Sequence, residues 1–139
     1  MNQSGTDPVT VVVVDDSPGI RRALRLAIDG HADLQVVAVG ADGIEGIEVS
    51  REHRPDVVLI DFKMPRMDGI HAARQIIAEL PDTRIVMLSA YDDMSIIDDA
   101  TAAGVDDFLC KGVPARVIHA SLLRAGRMES RSEALAART

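Results

Sequence analysis

The fold is indicated first by residues 9–29, which read VTVVVVDDSPGIRRALRLAID. The first six residues form an apolar, β-branched run, which favours a strand buried on both faces of a sheet. Ser17 and Pro18 then fit the N-cap and the first turn of a helix that continues to Asp29. A buried strand, a short acidic turn and a helix together predict one unit of a parallel α/β sheet.

The same unit recurs along the chain. Strands are predicted over residues 9–14, 34–39, 57–60, 84–88 and 107–110. Helices are predicted over 18–29, 43–53, 69–80, 93–103 and 114–128, with Pro55, Pro81 and Gly104 as end signals. Because 139 residues hold one domain, we predict a doubly wound α/β fold, a five-stranded parallel sheet with five helices.

Composition limits the function. A net charge of −7 argues against a surface devoted to nucleic acid or to anionic membrane. The single cysteine, Cys110, excludes a disulfide framework, and we expect it to be a small buried strand residue. The first residues lack the basic start and apolar run of a signal peptide, and the run at 11–14 is too short to span a bilayer. We expect a cytoplasmic protein with no membrane partner and no direct nucleic acid binding.

Polar side chains follow four of the five predicted strands. In an open parallel sheet, ligands bind beyond the carboxyl ends of the strands, where the strand order reverses. Alone, each of these side chains could cap a helix or face solvent. Grouped carboxylates, however, repel one another unless a cation intervenes, and Mg²⁺ prefers such oxygen ligands. The strand-end residues are Asp15 and Asp16, Asp61, Ser89 and Lys111.

These groups are suited to accepting a phosphoryl group. Asp61 would be the nucleophile, while Mg²⁺ and Lys111 offset charge on the transferring oxygens. The added phosphate charge would attract a neighbouring hydroxyl, for which Ser89 is the candidate. The chain also places its rare side chains here: both lysines, Lys63 and Lys111, and all three aromatic residues, Phe62, Tyr91 and Phe108, adjoin these positions.

Four segments together carry a family resemblance. They are VVVVDDSPGIRR (11–22), DVVLIDFKMPRMDGI (56–70), RIVMLSAYDD (84–93) and AGVDDFLCKG (103–112). Over residues 9–123 the chain resembles the receiver domain of bacterial two-component response regulators. Its pattern is most similar to the NarL/FixJ branch, whose members usually carry a C-terminal DNA-binding helix-turn-helix. The resemblance implies a flavodoxin/CheY-like sheet with strand order 2-1-3-4-5.

The resemblance also implies a phosphorylation site. Asp61 would accept phosphate from a histidine kinase. Asp16 would bind Mg²⁺ directly and Asp15 through water, with the backbone carbonyl of Lys63 as a further ligand. Lys111 would contact the phosphate.

Other positions correspond to the family's switch. Ser89 takes the place of the hydroxyl that turns toward the phosphate, and Phe108 that of the aromatic residue that rotates inward. As phenylalanine, Phe108 has no hydroxyl, so any switching must work by packing. Lys63 and Tyr91 occupy the positions that modulate loss of phosphate.

One departure from the family follows the lysine. The family often has a cis-proline there, whereas this chain has Gly112. A cis bond costs about 2.5–4 kcal/mol without proline, so we expect a trans bond. Elsewhere, Arg21, Arg22 and Arg25 are interpreted as a solvated helix face at which a kinase could dock.

Two other classes of protein remain alternatives. A haloacid-dehalogenase-like phosphotransferase or phosphatase also uses a strand-end Asp, but expects Asp-x-Asp where this chain has Lys63. A flavin carrier needs a loop rich in hydroxyls and amides where this chain has Asp15 and Asp16, which would repel the flavin phosphate.

The output is open at this point. We predict a flexible N-terminus (1–8), a receiver domain (9–127) and a tail or linker (128–139), without enzymatic activity. The chain would be a stand-alone receiver, or the receiver portion of a NarL/LuxR-type transcriptional regulator that signals to an output protein or a C-terminal effector domain. A homodimer is possible for either.

Overall fold

Strands and helices alternate throughout the computed structural model, which describes residues 7–90 and 93–129. The elements are β1 (Val9–Val14), α1 (Pro18–Asp29), β2 (Leu34–Gly40), α2 (Gly43–His53), β3 (Val57–Ile60), α3 (Gly69–Glu79), β4 (Arg84–Ser89), α4 (Met94–Ala103), β5 (Asp107–Cys110) and α5 (Ala115–Gly126). The strands form one parallel sheet in the order β2-β1-β3-β4-β5. The predicted fold class and strand order are confirmed, and each predicted boundary lies within two residues of the observed one.

The sheet is covered by helices on both faces, which explains the near-continuous apolarity of its central strands. Successive side chains of a strand point to opposite faces, so β1 contributes to two separate cores. Val11 and Val13 pack beneath α1 and α5, whereas Val12 and Val14 pack on the side of α2, α3 and α4. Because all four valines are buried, β1 cannot shift register without exposing or crowding apolar side chains.

Short side-chain caps fix where the helices begin. A serine or aspartate oxygen accepts a hydrogen bond from a backbone N–H in the first turn of four helices, satisfying a donor that has no partner within the helix. The four cap residues are Ser17 for α1, Asp42 for α2, Asp68 for α3 and Asp93 for α4. The loops that leave the carboxyl ends of β1, β2, β3 and β4 therefore end at defined points.

One expectation is wrong at β5, which is an edge strand of the sheet. Cys110, predicted to be buried, is exposed, because it ends an edge strand that pairs only with β4 among the described residues. The next peptide bond, between Lys111 and Gly112, is trans as predicted. Gly112 has φ +102°, which a proline ring cannot adopt and which other residues with a side chain rarely adopt.

Some expectations fall outside the described residues. They concern Tyr91, residues 1–6 of the predicted N-terminus and residues 130–139 of the predicted tail. Within residues 7–90 and 93–129, no helix has both the length and the apolarity needed to cross a membrane.

Candidate functional site

Strand pairing brings the predicted site residues together at the carboxyl end of the sheet. The strand order reverses at β1, and Val14 of β1 pairs with Ile60 of β3, so the residues that follow both strands are neighbours. The Asp61 N–H donates to the carbonyl of Val14 at 2.9 Å, which extends this pairing by one residue. On the other side, the Lys111 N–H donates to the Ser89 carbonyl at 2.7 Å. Backbone hydrogen bonds therefore position both the acids and the lysine.

Lys111 joins two of the carboxylates. Its Nζ lies 2.9 Å from Asp15 Oδ2 and 3.1 Å from Asp61 Oδ2. Asp15 and Asp61 are buried, at 2% and 7% exposure, whereas Asp16 is exposed. One carboxylate oxygen from each of the three acids lies within 4.8 Å of the others. The structure thus gathers the three predicted carboxylates and the predicted lysine in one place.

The pKa values reflect this crowding. Burial raises the pKa of Asp61 above its ordinary value, and the nearby charges of Asp15 and Asp16 act in the same direction. The hydrogen bond and the charge of Lys111 oppose this rise without cancelling it. Burial alone would lower the pKa of Lys111, but its hydrogen bonds to Asp15 and Asp61 hold that pKa above its ordinary value. The site favours a positive charge beside the carboxylates.

Arg21 fixes the loop after β1, a role that the sequence did not indicate. Its guanidinium donates a hydrogen bond to the backbone carbonyl of Asp15 at 2.8 Å. The Ser17 N–H donates to Asp15 Oδ1 at 2.9 Å. Of the three arginines interpreted as a solvated face, Arg22 and Arg25 are exposed, but Arg21 is half-buried and supports the acidic pair.

The loop after β3 packs closely around Asp61. The Gly69 N–H donates to the Phe62 carbonyl at 2.6 Å, which closes the loop from 62 to 69. A Cβ at position 69 would lie 2.1 Å from the backbone oxygen of Asp61, so only glycine fits. The requirement comes from a contact with a residue eight positions earlier in the chain, so the sequence alone does not show why a glycine is needed at this position.

A cleft opens above these groups. It encloses about 460 Å³ and is lined by Asp16, Asp61, Lys63, Met64, Pro65, Ala90 and Lys111. Lys63 is exposed, and it also lines a neighbouring groove between the β3–α3 loop and α4. Both lysines of the chain therefore border the cleft.

Two further predicted site residues lie in the neighbouring strands β4 and β5. Ser89, the last residue of β4, is fully buried. Phe108 of β5 pairs with Met87 and packs, half-buried, on the core beneath α2, α3 and α4. Tyr91 is not among the described residues.

The donor set suits a divalent cation. It consists of carboxylate oxygens, two of them buried, in a cleft open to water, and the only ammonium bonded to them in the described structure is that of Lys111. A small hard cation with oxygen ligands and several waters matches such a set. The residues present therefore fit the metal that the sequence predicted.

Comparison with known proteins agrees with this geometry. The family model "Response regulator receiver domain" matches residues 11–123. The "Uncharacterized transcriptional regulatory protein YxjL" of Bacillus subtilis is 33% identical over 129 residues, which cover 93% of this chain and 57% of that protein. A protein-glutamate methylesterase/protein-glutamine glutaminase of Geobacter sulfurreducens is 36% identical, over 89% of this chain and 36% of its own length.

Solved structures give the same result. The signal receiver domain of the putative response regulator NarL from Mycobacterium tuberculosis superposes with a TM-score of 0.84 at 34% identity, covering 88% of this chain and 99% of that one. The response regulator domain of Thermotoga maritima CheB gives 0.80 at 30% identity, with 88% and 98% coverage.

The chain belongs to the response regulator receiver domain family. It is similar both to NarL-type regulators and to the receiver domain of a methylesterase, and it spans about half the length of the curated transcriptional regulators that it matches.

Proposed function

We propose that this receiver is switched by phosphorylation of Asp61. The observation that carries the proposal is the bridge from Lys111 to Asp15 and Asp61, with Asp16 beside it in an open cleft. A nucleophile, a fixed cation and additional carboxylates at one strand-end site are what phosphoryl transfer by positioning and electrostatics requires.

Asp61 supplies the attacking oxygen. Lys111 binds Oδ2, so we assign Oδ1 as the nucleophile. As the bond from this oxygen to phosphorus forms, the bond from phosphorus to the donor breaks, and its electron pair stays with the donor. For a histidine kinase, the leaving atom is an imidazole nitrogen. Lys111 offsets charge on the phosphoryl oxygens.

Mg²⁺ is the cofactor that we assign to the acids. Asp16 and Asp61 would bind it directly, Asp15 through water, and the Lys63 backbone carbonyl would complete the protein ligands. When bound, the ion offsets negative charge on the carboxylates and on the phosphoryl oxygens. Lys111 and the ion would then both offset the negative charge on the phosphoryl oxygens.

The switch would couple phosphorylation to the helices around β4 and β5. The phosphoryl group adds about −1.5 to −2 charges, enough to attract the hydroxyl of Ser89. Movement of Ser89 would leave space into which Phe108 rotates by packing alone. The altered surface would bind an output protein, a C-terminal effector domain or a second copy of the chain.

Lys63 and Tyr91 are the proposed modulators of phosphate loss. Exposed Lys63 at the rim of the cleft can contact the phosphate or shield it from water. We expect faster hydrolysis of the acyl phosphate in Lys63→Ala and Tyr91→Ala, and unchanged rates in both variants would refute this role.

We assign residues 9–127 to the receiver, 1–8 to an N-terminal segment and 128–139 to a tail or linker. The similarity to transcriptional regulators supports the receiver portion of a NarL/LuxR-type regulator as the wider context. In that context, DNA would be bound by another domain, and the receiver itself would have no enzymatic turnover.

The test is phosphorylation by a small acyl phosphate with Mg²⁺, followed by intact-protein mass spectrometry. We expect one base-labile phosphoryl group on the parent chain and none on Asp61→Asn. Asp82→Asn is the matched control, because Asp82 is exposed and does not line the cleft. Labelling of Asp61→Asn to the parent level would refute the proposal, and continuous turnover of a phosphate ester would favour a phosphatase of the haloacid-dehalogenase type.

A further inference from the structure

The loop from Asp61 to Asp68 contains a strained turn beside the cleft. The Met67 N–H donates to the Pro65 carbonyl at 2.8 Å, which closes a three-residue γ-turn, and the central residue, Arg66, has φ +71°. A γ-turn with positive φ is rare and strained, and a left-handed backbone is unfavourable for any residue with a side chain. Something outside the turn must stabilise it, because such strain persists only where the surroundings enforce it.

Two contacts reach the turn from α2. Arg66 Nε donates to Asp42 Oδ2 at 2.9 Å, and a second guanidinium nitrogen of Arg66 donates to the same oxygen. The next residue, Met67, packs against Gly43, where a Cβ would lie 3.0 Å from the Met67 Cβ. The ion pair and the packing contact hold two consecutive residues of the same short segment.

Asp42 is itself held in place. Its other oxygen, Oδ1, accepts a hydrogen bond from the Glu45 N–H at 2.9 Å as the N-cap of α2. The Asp42 side chain is only 10% exposed, whereas that of Arg66 is 57% exposed. The fixed partner is therefore the N-cap acid of α2, and Arg66 is the more exposed side chain that it anchors.

The anchored segment carries the residues that face the cleft. Met64 and Pro65 line it, and the backbone carbonyl of Lys63 is the proposed metal ligand. Residues that orient a metal ligand typically change metal affinity by about 10–100-fold when they are removed, although they never touch the ion.

We propose that Asp42 and Arg66 are positioning residues for the metal site, because their ion pair holds the β3–α3 loop in the strained turn that presents Lys63. The inference rests on the proposed function, since it assumes that Mg²⁺ binds between the acids and this loop. It gives the N-terminus of α2, which contributes no ligand, an indirect influence on metal affinity.

Three variants distinguish a role in positioning the loop from an effect on the stability of the fold alone. Arg66→Gly removes the ion pair but permits φ +71°, so relief of strain offsets the greater flexibility of the unfolded chain. Asp42→Asn keeps an acceptor for the Glu45 N–H and removes the charge. Arg51→Gln is the matched control: Arg51 makes a two-pronged ion pair with Glu79 between α2 and α3, is similarly exposed, and lies outside the cleft lining.

The first measurement uses metal-free protein. Hydrogen exchange followed by mass spectrometry over residues 62–69 should be faster in Arg66→Gly and Asp42→Asn than in the parent, and unchanged in Arg51→Gln. This region contains the N–H groups of Met67 and Gly69, which donate within the loop. Parent-like exchange in Arg66→Gly and Asp42→Asn would overturn the proposal without any reference to metal.

The second measurement is the Mg²⁺ dissociation constant from calorimetry, with urea unfolding as the stability control. We expect about tenfold weaker binding in Arg66→Gly and in Asp42→Asn, and the same loss in the double variant, because both act through one ion pair. Parent-like affinity in these variants, with affinity lost in Asp16→Asn, would overturn the positioning role and leave the proposed function intact. Parent protein that fails to bind Mg²⁺ would overturn the metal assignment and this inference together.

Discussion

At the amino ends of the strands the sheet buries an ion pair, whereas at its carboxyl ends it gathers three carboxylates around one ammonium. Arg84 and Asp106 lie 3.1 Å apart with side chains 9% and 11% exposed, and Asp106 also accepts the Ile85 N–H at 2.9 Å. At the other end, Lys111 serves both Asp15 and Asp61, and Asp16 adds a third carboxylate. When all are ionised, the first group is neutral, whereas the three carboxylates and Lys111 together have a net charge of −2.

The difference between these two groups separates charges that stabilise the fold from charges that are available to bind a ligand. A paired buried charge is tolerated because its partner replaces water. Carboxylates gathered at the topological switch point repel one another, and a bound cation would relieve that repulsion. If this comparison is correct, breaking the pair at the amino end should alter stability alone, while changes at the carboxyl end should alter ligand dependence.

The largest effect is expected from Arg84→Ala. Removing the guanidinium breaks the ion pair with Asp106, whose side chain is only 11% exposed, and breaking a buried ion pair costs about 3–5 kcal/mol. Urea unfolding should show this loss, whereas Arg51→Ala, in the exposed pair with Glu79, should cost about 0–1 kcal/mol. Equal losses in the two variants would remove the distinction between buried and exposed pairs.

Magnesium should stabilise the carboxyl end next most strongly. At a concentration 100 times its dissociation constant, a ligand that binds only the folded state adds about 2.7 kcal/mol to the free energy of unfolding. We expect this gain in the parent and in Asp82→Asn, and its loss in Asp16→Asn. Coincident urea curves with and without Mg²⁺ in the parent would argue against a metal site.

Gly69→Ala should have a smaller effect on stability. The new Cβ would lie 2.1 Å from the Asp61 carbonyl oxygen, and overpacking of this kind costs about 1–3 kcal/mol. Because the displaced atom belongs to the proposed phosphoacceptor, labelling by the acyl phosphate should fall as well. Gly19→Ala, with no atom within 4 Å of its Cβ, should be neutral or stabilising by up to about 1 kcal/mol, and an equal loss there would contradict the packing argument.

The smallest expected effect is a pH dependence at Asp61. Its pKa is raised in the folded protein, chiefly by burial, so its ionisation destabilises the metal-free fold. The protonated form contributes favourably to the free energy of unfolding. This contribution is complete below pH 3.8, the ordinary pKa of an aspartate, and is lost as the pH rises through the raised pKa of Asp61. Asp61→Asn should therefore exceed the parent in stability by about 1 kcal/mol at neutral pH and by less in acid. Thermal unfolding across this range without metal would show it, and a constant difference would contradict it.

The sequence predicted the fold well because its strands are β-branched runs and its helices begin and end near proline, glycine and a serine cap. The strand-end rule also predicted the convergence of Asp15, Asp16, Asp61 and Lys111, since parallel strands bring their carboxyl ends to one edge. Each of these inferences uses a periodicity or a terminus that is local in the chain.

Contacts between distant segments could not be predicted in this way. Arg66 and Asp42 are 24 residues apart, and nothing near either position indicates the other. The bond from Arg21 to the Asp15 carbonyl was missed because helix periodicity assigns the arginine to a solvent face. Cys110 is exposed, although the sequence predicts a small buried strand residue, because its burial depends on the place of β5 at the edge of the sheet and not on the local sequence.

The placement of the two lysines has a consequence for chemical labelling. Thirteen of the fifteen basic residues are arginine, so Lys63 and Lys111 supply every side-chain amine in the protein. Both line the cleft. Among side chains, reagents that acylate amines are therefore directed to the rim of this cleft, and we expect acylation of Lys111, whose side chain is 22% exposed, to fall when the cleft is occupied.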